Sequence, residues 1–548
     1  MKNIAMILFL SVSTVLADSC IANHSSNIND FVTGLRLSNN EAVDSVRSLL
    51  GKNSDLLVSD DNNSCQSQEA SSLAFGPSKE ERSAQLVCNV AGYAFQEELI
   101  AAGAANYTQL SHGSWSQTCW LSPRCIITPS STDEVARAMR IITFLNARFA
   151  IRSGGHNPNP GFNSISSNGI LVDLRKLNSL KLSDDGLVLS SGPGRRWEDL
   201  YKITSEANRT VIGARMPGVG VGGMLLGGGL GTFSAKYGMA CDNIRNYEVV
   251  LPNSTIMNAN SVENPDLFWA LKGGGANFGI VTRFDINTHP VSRIWFASYL
   301  FASNDTSRVI DAIHAFGISG DTNGAVAVSI SQASAYIGLV YAQPHRPDVF
   351  KPFLDIPHTA VVVPEAIGSP YDLNIAYEGI LNPNPSRFDI QGISTTQDIG
   401  IYKAAFQSWN KIAAEVAGKT NGTAKMTFGI QPVNKDTITY SRKTGGNALN
   451  VPAINQAWLV ATINWNDTAY DKIAHAAVAA AGNAYTKAAE ERHGHVTFEY
   501  MNDASTNQNP LASYGSKNLR KLKSIARKYD TGRVMQRLQN NGFLLDKA

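Results

Sequence analysis

From Cys125 onward, apolar residues fall alternately into short runs and into helical spacing, and the two rhythms predict different elements. Cys125-Ile126-Ile127 reads as a short strand, and Ser131 to Glu134 has the spacing of a helix capping box. The helix that follows places Val135, Ala138, Met139 and Ile142 on one face, and Phe149-Ala150-Ile151 returns as a second strand, completing a β-α-β unit. Further strands are expected at Ile170-Leu171-Val172, at Leu187-Val188-Leu189 and from Tyr247 to Leu251, separated by glycine turns and by the short helices WEDLY and DLFWALK. This α/β texture runs to about residue 290. Between about 293 and 490 the glycine clusters thin out, and the runs IWFASYLF, AVAVSISQA, AYIGLVYA and AWLVATINW alternate with long amphipathic helices. A second domain on a mostly antiparallel sheet follows. Residues 18 to about 118 read as helical and polar, with no catalytic pattern, and no internal repeat or low-complexity tract occurs.

With 548 residues, 43% hydrophobic and 17% charged, the chain can bury a large core and is expected to form two or three domains. Its formal charge of +2 is spread without a Lys/Arg run, which argues against a nucleic-acid partner. The N-terminus has a positive start at Lys2, an apolar stretch from Ile4 to Leu16 and a small-residue exit at Val15-Leu16-Ala17, the form of a cleaved secretory signal over residues 1–17. That stretch is shorter than the roughly 20 residues a bilayer requires, so no membrane span is expected. Asn-x-Ser/Thr acceptors at Asn23, Asn62, Asn106, Asn208, Asn253, Asn304, Asn421 and Asn466 suit a secreted glycoprotein. All six cysteines (Cys20, Cys65, Cys88, Cys119, Cys125, Cys241) lie in the first half, which predicts one or two disulfides near the N-terminus and a buried free thiol at Cys241. No CxxC pair or histidine cluster accompanies them, so no metal site is expected.

The densest feature is GARMPGVGVGGMLLGGGLG, residues 213 to 231. Gly218, Gly220 and Gly223 satisfy G-x-G-x-x-G, with Asp242 where a ribose-binding acid would lie, yet Pro217 interrupts the approach and no buried strand leads into it. Glycines at this density instead allow bare main chain to lie against a flat or phosphorylated ligand. Two more glycine loops, RSGGH at 152 to 156 and KGGGANFGIVT at 272 to 282, also stand at strand ends. Together the three suggest one elongated cofactor. The stretch AIRSGGHNPNPG isolates a single histidine, His156, between two glycines and two Asn-Pro pairs.

In order and spacing, RSGGH, VGVGG, GGGLG, ACDNIRNYEVVLPN, NPDLFWALKGGGANFGIVT, FEYMNDAS and the YG at 514 to 515 resemble the berberine bridge enzyme-like flavoproteins. These belong to the vanillyl-alcohol oxidase superfamily with its PCMH-type FAD-binding domain, and the similarity is greatest to fungal secreted members. It extends from about residue 115 to 545. The resemblance implies an α+β fold: a PCMH-type FAD-binding domain of two α/β subdomains, and a substrate domain with an antiparallel sheet covered by helices. After the signal at 1–17, the expected divisions are an N-terminal helical region at 18–118, the FAD-binding domain at 119–292, the substrate domain at 293–494 and a segment completing the FAD domain at 495–548.

The same resemblance implies FAD joined covalently to His156. Many relatives add a second bond from a cysteine at the place here held by Met216; a thioether offers no thiolate, so one bond is expected. Arg152, Ser153, Gly154, Gly155, Asn157, Val219, Gly220, Gly222, Gly223, Gly228, Gly231, Ile280 and Asn502 are the implied cofactor-binding positions, and Val219 falls where a small aliphatic residue is associated with dioxygen access. For the proton acceptor the candidates are Tyr500, read as mid-strand, and its neighbour Glu499. Tyr336, Tyr341, Tyr402, Gln431 and Asn447 lie in the substrate domain and match no family site. Thr531 departs from the family's Asp-Pro turn. The implied activity is an FAD-linked oxidase, a monomer, that passes a hydride from a small natural product to the flavin, with dioxygen as acceptor and hydrogen peroxide as product. The alternatives are a secreted carbohydrate or oligosaccharide oxidase, and a flavin-bearing cyclase or binding protein without net oxidation.

Overall fold

A computed structural model of the chain describes residues 27–57, 76–378 and 385–548. The expected signal at 1–17, Cys20, Cys65, Asn23 and Asn62 lie outside the described residues.

Three sheets organise the molecule. The first has four strands in the order Leu99–Ala101, Cys125–Ile127, Gly169–Asp173, Arg148–Arg152, and its last three strands are parallel. Parallel pairing requires a crossover, which the helix Thr132–Phe144 provides. Ser131 caps that helix by accepting the Glu134 N–H, and Val135, Ala138, Met139 and Ile142 are buried on its inner face. The helices Asn40–Lys52 and Lys79–Ala94 pack into the same core, and a Cys88–Cys125 disulfide ties the second of them to the sheet. Closing a loop with a sequence separation of 37 residues contributes roughly 3–4 kcal/mol on the chain-entropy view. Cys119 and Cys241 are buried free thiols.

The second sheet has five strands, ordered Leu180–Leu182, Val188–Ser191, Ile280–Asn287, Ile244–Val250, Ile256–Asn260, and every pair in it is antiparallel. The third and largest runs Ala360–Gly368, Ile294–Ala302, Ser334–Tyr341, Gly324–Ile330, Lys425–Val433, Gln456–Trp465, Arg387–Thr396, His495–Val496, again antiparallel throughout. In Gln456–Trp465, Ala457, Leu459, Ala461, Ile463 and Trp465 enter the core beneath the helices Thr306–Ile318, Ile399–Lys419 and Asp471–Glu491, while Trp458 enters the core shared with the glycine-rich domain. A period of two thus makes one strand serve two cores, each fully buried large apolar side chain contributing roughly 1.5–3 kcal/mol. The face carrying Trp458 is the one turned toward the candidate site.

Among the described residues no helix is long and apolar enough to cross a membrane, and no group of three or more His, Cys, Asp or Glu side chains is placed to hold a metal ion. The acceptor asparagines at 106, 208, 253, 304, 421 and 466 are all exposed.

Candidate functional site

The strand Arg148–Arg152 delivers the RSGGH loop, and its last residue roots it. Arg152 turns away from the loop into a buried ion pair with Asp173 on the neighbouring parallel strand (2.6 Å) and donates to the Leu110 and Ser111 carbonyls. The buried Arg152 and Asp173 charges match each other, and the partly exposed Arg175 shares the same carboxylate at 2.8 Å. Next, the Ser153 hydroxyl donates to the Pro193 carbonyl at 2.5 Å and accepts the Gly222 N–H at 3.3 Å. Gly154 then meets Gly220 back to back: a side-chain carbon on either would lie 2.3–2.4 Å from the other's Cα. The Arg196 guanidinium bridges the two loops, donating to the carbonyls of Gly154 and, at 2.8 Å, Gly218. Gly155 adopts φ +65° and packs on Ser114. These two glycines were expected to bare the chain for a ligand; the immediate reasons are a backbone-on-backbone contact at Gly154 and a left-handed turn at Gly155.

Beyond His156 the chain is pinned. Asn157 accepts the Asn159 N–H on its side chain (2.9 Å) and Asn163 Nδ2 on its carbonyl (2.7 Å), the Pro158 carbonyl accepts the Thr118 hydroxyl (2.6 Å), and Asn159 Nδ2 donates to the Ala504 carbonyl (2.9 Å). The His156 ring lies flat on Trp115, with centroids 4.5 Å apart and planes within 9°. Trp115 is itself fixed by its backbone N–H bond to the Gly155 carbonyl (2.9 Å) and by the edge-on ring of Phe388 at 4.6 Å. Burial, and then the charge of Arg196, lower the His156 pKa to about 4, so the imidazole is neutral at ordinary pH.

The glycine cluster supplies the opposite wall. The six-residue helix Val221–Leu226 starts at Gly220, and the third loop joins its far end through a Gly275 N–H bond to the Leu226 carbonyl at 3.0 Å. The RSGGH loop thus meets the glycine cluster at one end of this helix and the third loop meets it at the other. Gly218 and Gly223 face open space, with no atom within 4 Å of where a side-chain carbon would stand. Val219 is half-buried in the turn after Met216, whose carbonyl accepts its N–H. The other predicted positions serve packing: Gly222 lies against Ser153, Gly228 takes φ +115°, and Gly231 presses on the Gly213 carbonyl. Ile280 pairs with Val250 and buries its side chain in the core of the first sheet. Asp242 accepts Asn447 Nδ2 and the Met239 N–H, which leaves the apparent nucleotide fingerprint without its ribose acid.

Tyr500 is not on a strand. The sheet ends at Val496, and Tyr500 precedes a 3-10 turn at Met501–Asp503, because its hydroxyl is drawn to the glycine cluster, where it accepts the Leu230 N–H (2.6 Å) and Asn502 Nδ2 (3.2 Å). Its ring packs on Trp458 at 4.6 Å. Burial pushes its pKa above the ordinary tyrosine value. Asn502 also donates to the Met224 carbonyl (3.0 Å), and its amide occupies the space a side chain on Gly227 would need. Glu499 does not join them: its carboxylate accepts the Asn509 N–H (2.9 Å), at the start of the helix Pro510–Ser513. In an extended chain adjacent side chains leave on opposite faces, which separates the two candidates.

Several site residues escaped the sequence reading. Trp115 and Arg196 carry no local motif. Asp503, whose pKa burial raises, accepts Gln431 Nε2 (2.7 Å), and Gln431 in turn accepts from Arg215, a polar chain beside Tyr500 that joins three distant segments. Of the other substrate-domain residues, Tyr402 donates to Gln397 in the far core and Tyr341 to Asp321.

Residues 123–260 match the family model of an FAD binding domain. A FAD-dependent monooxygenase of Penicillium terrestre, macF, is 34% identical over 466 residues, 82% of this chain and 87% of the relative. The bifunctional solanapyrone synthase of Alternaria solani is 32% identical over 450 residues, 80% and 85% of the two chains. Among solved structures, the glucooligosaccharide oxidase of Acremonium strictum, studied for its 6-S-cysteinyl, 8α-N1-histidyl FAD, superposes with a TM-score of 0.66 at 18% identity, covering 82% of this chain and 97% of its own. Fold, matched domain and relatives define an FAD-dependent oxidoreductase. The chain belongs to the FAD-linked oxidoreductases of its fungal relatives, with the fold of a berberine bridge enzyme-like protein of Physcomitrella patens (TM-score 0.66, 18% identity).

Proposed function

We propose that the chain is a secreted oxidase that holds FAD through one covalent bond to His156 and oxidises a small natural product, with dioxygen as the final acceptor. The observation that carries this reading is a neutral, flat-stacked imidazole on the loop that packs against the glycine cluster, where Gly218 and Gly223 leave open room. The residues fit the cofactor: bare backbone at Gly218 and Gly223 admits a flat ring system, and Arg196 brings a positive charge to the same loops. When bound there, FAD supplies the two-electron acceptor.

The protein's own part is position and proton handling. The Tyr500 oxygen accepts two hydrogen bonds, from Leu230 and Asn502, so its O–H is left to point elsewhere; the same two donors stabilise the oxygen if its proton is drawn off. Burial opposes that loss and keeps the hydroxyl protonated at rest, so Tyr500 acts as proton acceptor only after passing its own proton on. The Arg215–Gln431–Asp503 chain gives the neighbouring wall fixed polar groups for a substrate. The natural-product assignment draws on the solanapyrone synthase similarity. Secretion draws on the leader-like residues 1–17, the Cys88–Cys125 disulfide and the exposed acceptor asparagines.

The test is acid precipitation of the purified protein. Yellow colour stays with the pellet, and the peptide containing His156 carries the added mass of the flavin. Colour released to the supernatant from fully loaded protein refutes the covalent link.

A further inference from the structure

We infer that Trp115 is the positioning residue for attachment of the cofactor: its indole face fixes the plane of the His156 imidazole and leaves the ring edge free of bonds to other residues. The inference rests on the histidyl attachment proposed above and goes beyond it, because it assigns a role to a residue in a segment with no catalytic pattern of its own.

A side chain that must react from one orientation is usually held by a hydrogen bond to its second polar atom. His156 has no such bond to another residue; its ring bonds only its own backbone. Among the described residues no other residue hydrogen-bonds either ring nitrogen, and the contact that defines the ring plane is the 4.5 Å, 9° stack on Trp115. Every attachment of Trp115 keeps that stack in register with the loop. Its backbone N–H binds the carbonyl of Gly155, the residue immediately before His156. The preceding residue, Ser114, donates its hydroxyl to Asn163 Oδ1 (2.8 Å), and Asn163 donates to the carbonyl of Asn157, the residue immediately after His156. On the far side, Phe388 meets the indole edge-on, and the Gln117 N–H binds the Ser386 carbonyl (2.9 Å), so the strap is fastened to the large antiparallel sheet. The imidazole is thus clamped by a plane, with its reactive edge left open.

Attachment requires that edge. An imidazole nitrogen of His156 bonds to a methyl carbon of the flavin as one C–H bond breaks; the methyl proton and the imidazole N–H proton leave, and the released electron pair reduces the ring system, from which dioxygen removes it as hydrogen peroxide. The nitrogen must be unprotonated and aimed. Trp115 contributes to both, since its face also excludes water from the ring, while the one charged group acting on His156, Arg196, further disfavours protonation.

The experiment uses the full chain produced in flavin-depleted cells and then given FAD, with total and acid-stable flavin followed over time between pH 5 and 8. Trp115→Phe keeps an aromatic plane and attaches at close to the wild-type rate. Trp115→Leu fills the volume without the plane; it binds FAD but attaches it more slowly by roughly tenfold or more, and its rate falls at the acid end of the range where the wild type holds. A Leu variant matching the wild type in rate and pH profile overturns the inference. Wild-type protein that binds FAD and never makes it acid-stable overturns the histidyl link itself, and this role with it.

Discussion

Two regions of the molecule each stack a histidine on an aromatic ring, and they treat it oppositely. At 288–290, on the connection out of the five-stranded sheet, His289 lies on Tyr237 with centroids 4.0 Å apart and bonds Asn243 Oδ1 through Nε2 at 2.7 Å. Asn243 spends its amide donors on the Tyr237 and Met239 carbonyls, so its oxygen faces the ring and Nε2 carries the proton. In the RSGGH loop, His156 lies on Trp115 with no bond from its ring to any other described residue. Burial holds both near a pKa of about 4. Neutrality is therefore common to both imidazoles; what separates them is whether the ring is bonded to another residue.

The largest consequence concerns the cofactor. His156→Ala loses all acid-stable flavin, whereas His289→Gln retains it, because a glutamine can still donate to Asn243. Acid precipitation of both variants checks this, and the comparison breaks if His289→Gln also releases its colour. A smaller contrast separates two glycines three residues apart. Gly220→Ala places a carbon 2.4 Å from the Gly154 Cα, backbone against backbone, and costs about 2–4 kcal/mol in denaturant unfolding. Gly223→Ala meets nothing within 4 Å, so unfolding of the flavin-free protein stays within about 0.5 kcal/mol of wild type while bound flavin falls. Equal stability losses in the two variants would show that the open face at Gly223 is not a cradle.

The strands and the crossover helix were legible because they depend on spacing within a dozen residues: Cys125–Ile127, Thr132–Phe144 and Arg148–Arg152 form where the apolar rhythm predicts them. The apolar run AWLVATINW likewise reads as a strand, and Gln456–Trp465 forms there. The site was legible only where composition is extreme, at His156 and the glycine loops. Whatever depends on tertiary contact was hidden. Tyr500 leaves the strand because its hydroxyl finds the Leu230 N–H, 270 residues away in sequence, and Gly154 is a glycine because Gly220 lies on it. Trp115 looks like any aromatic in a loop until the fold sets it against His156. Glu499 was plausible as a neighbour of Tyr500 until the backbone sent it to Asn509.

The smallest effect is a pH dependence, and it isolates the structural member of the pair. His289 titrates near 6.5 when unfolded and at about 4 when folded, where burial and the charge of Arg209 disfavour its protonation. Between these values the unfolded chain binds the proton and the folded chain does not, so His289 makes stability rise with pH from about 4 to 6.5. Below the folded value the accumulated penalty is complete, about 3 kcal/mol at most for a residue only 9% exposed. His289→Gln removes that slope and leaves the curve above pH 7 nearly unchanged, since the hydrogen bond to Asn243 persists. On the histidyl link proposed above, His156→Ala changes flavin content, which His289→Gln does not, so flavin content separates the two variants before their pH curves are compared. Unfolding midpoints of both variants at pH 5 and 7.5 distinguish the two histidines, and a wild-type slope that survives His289→Gln assigns the titration elsewhere.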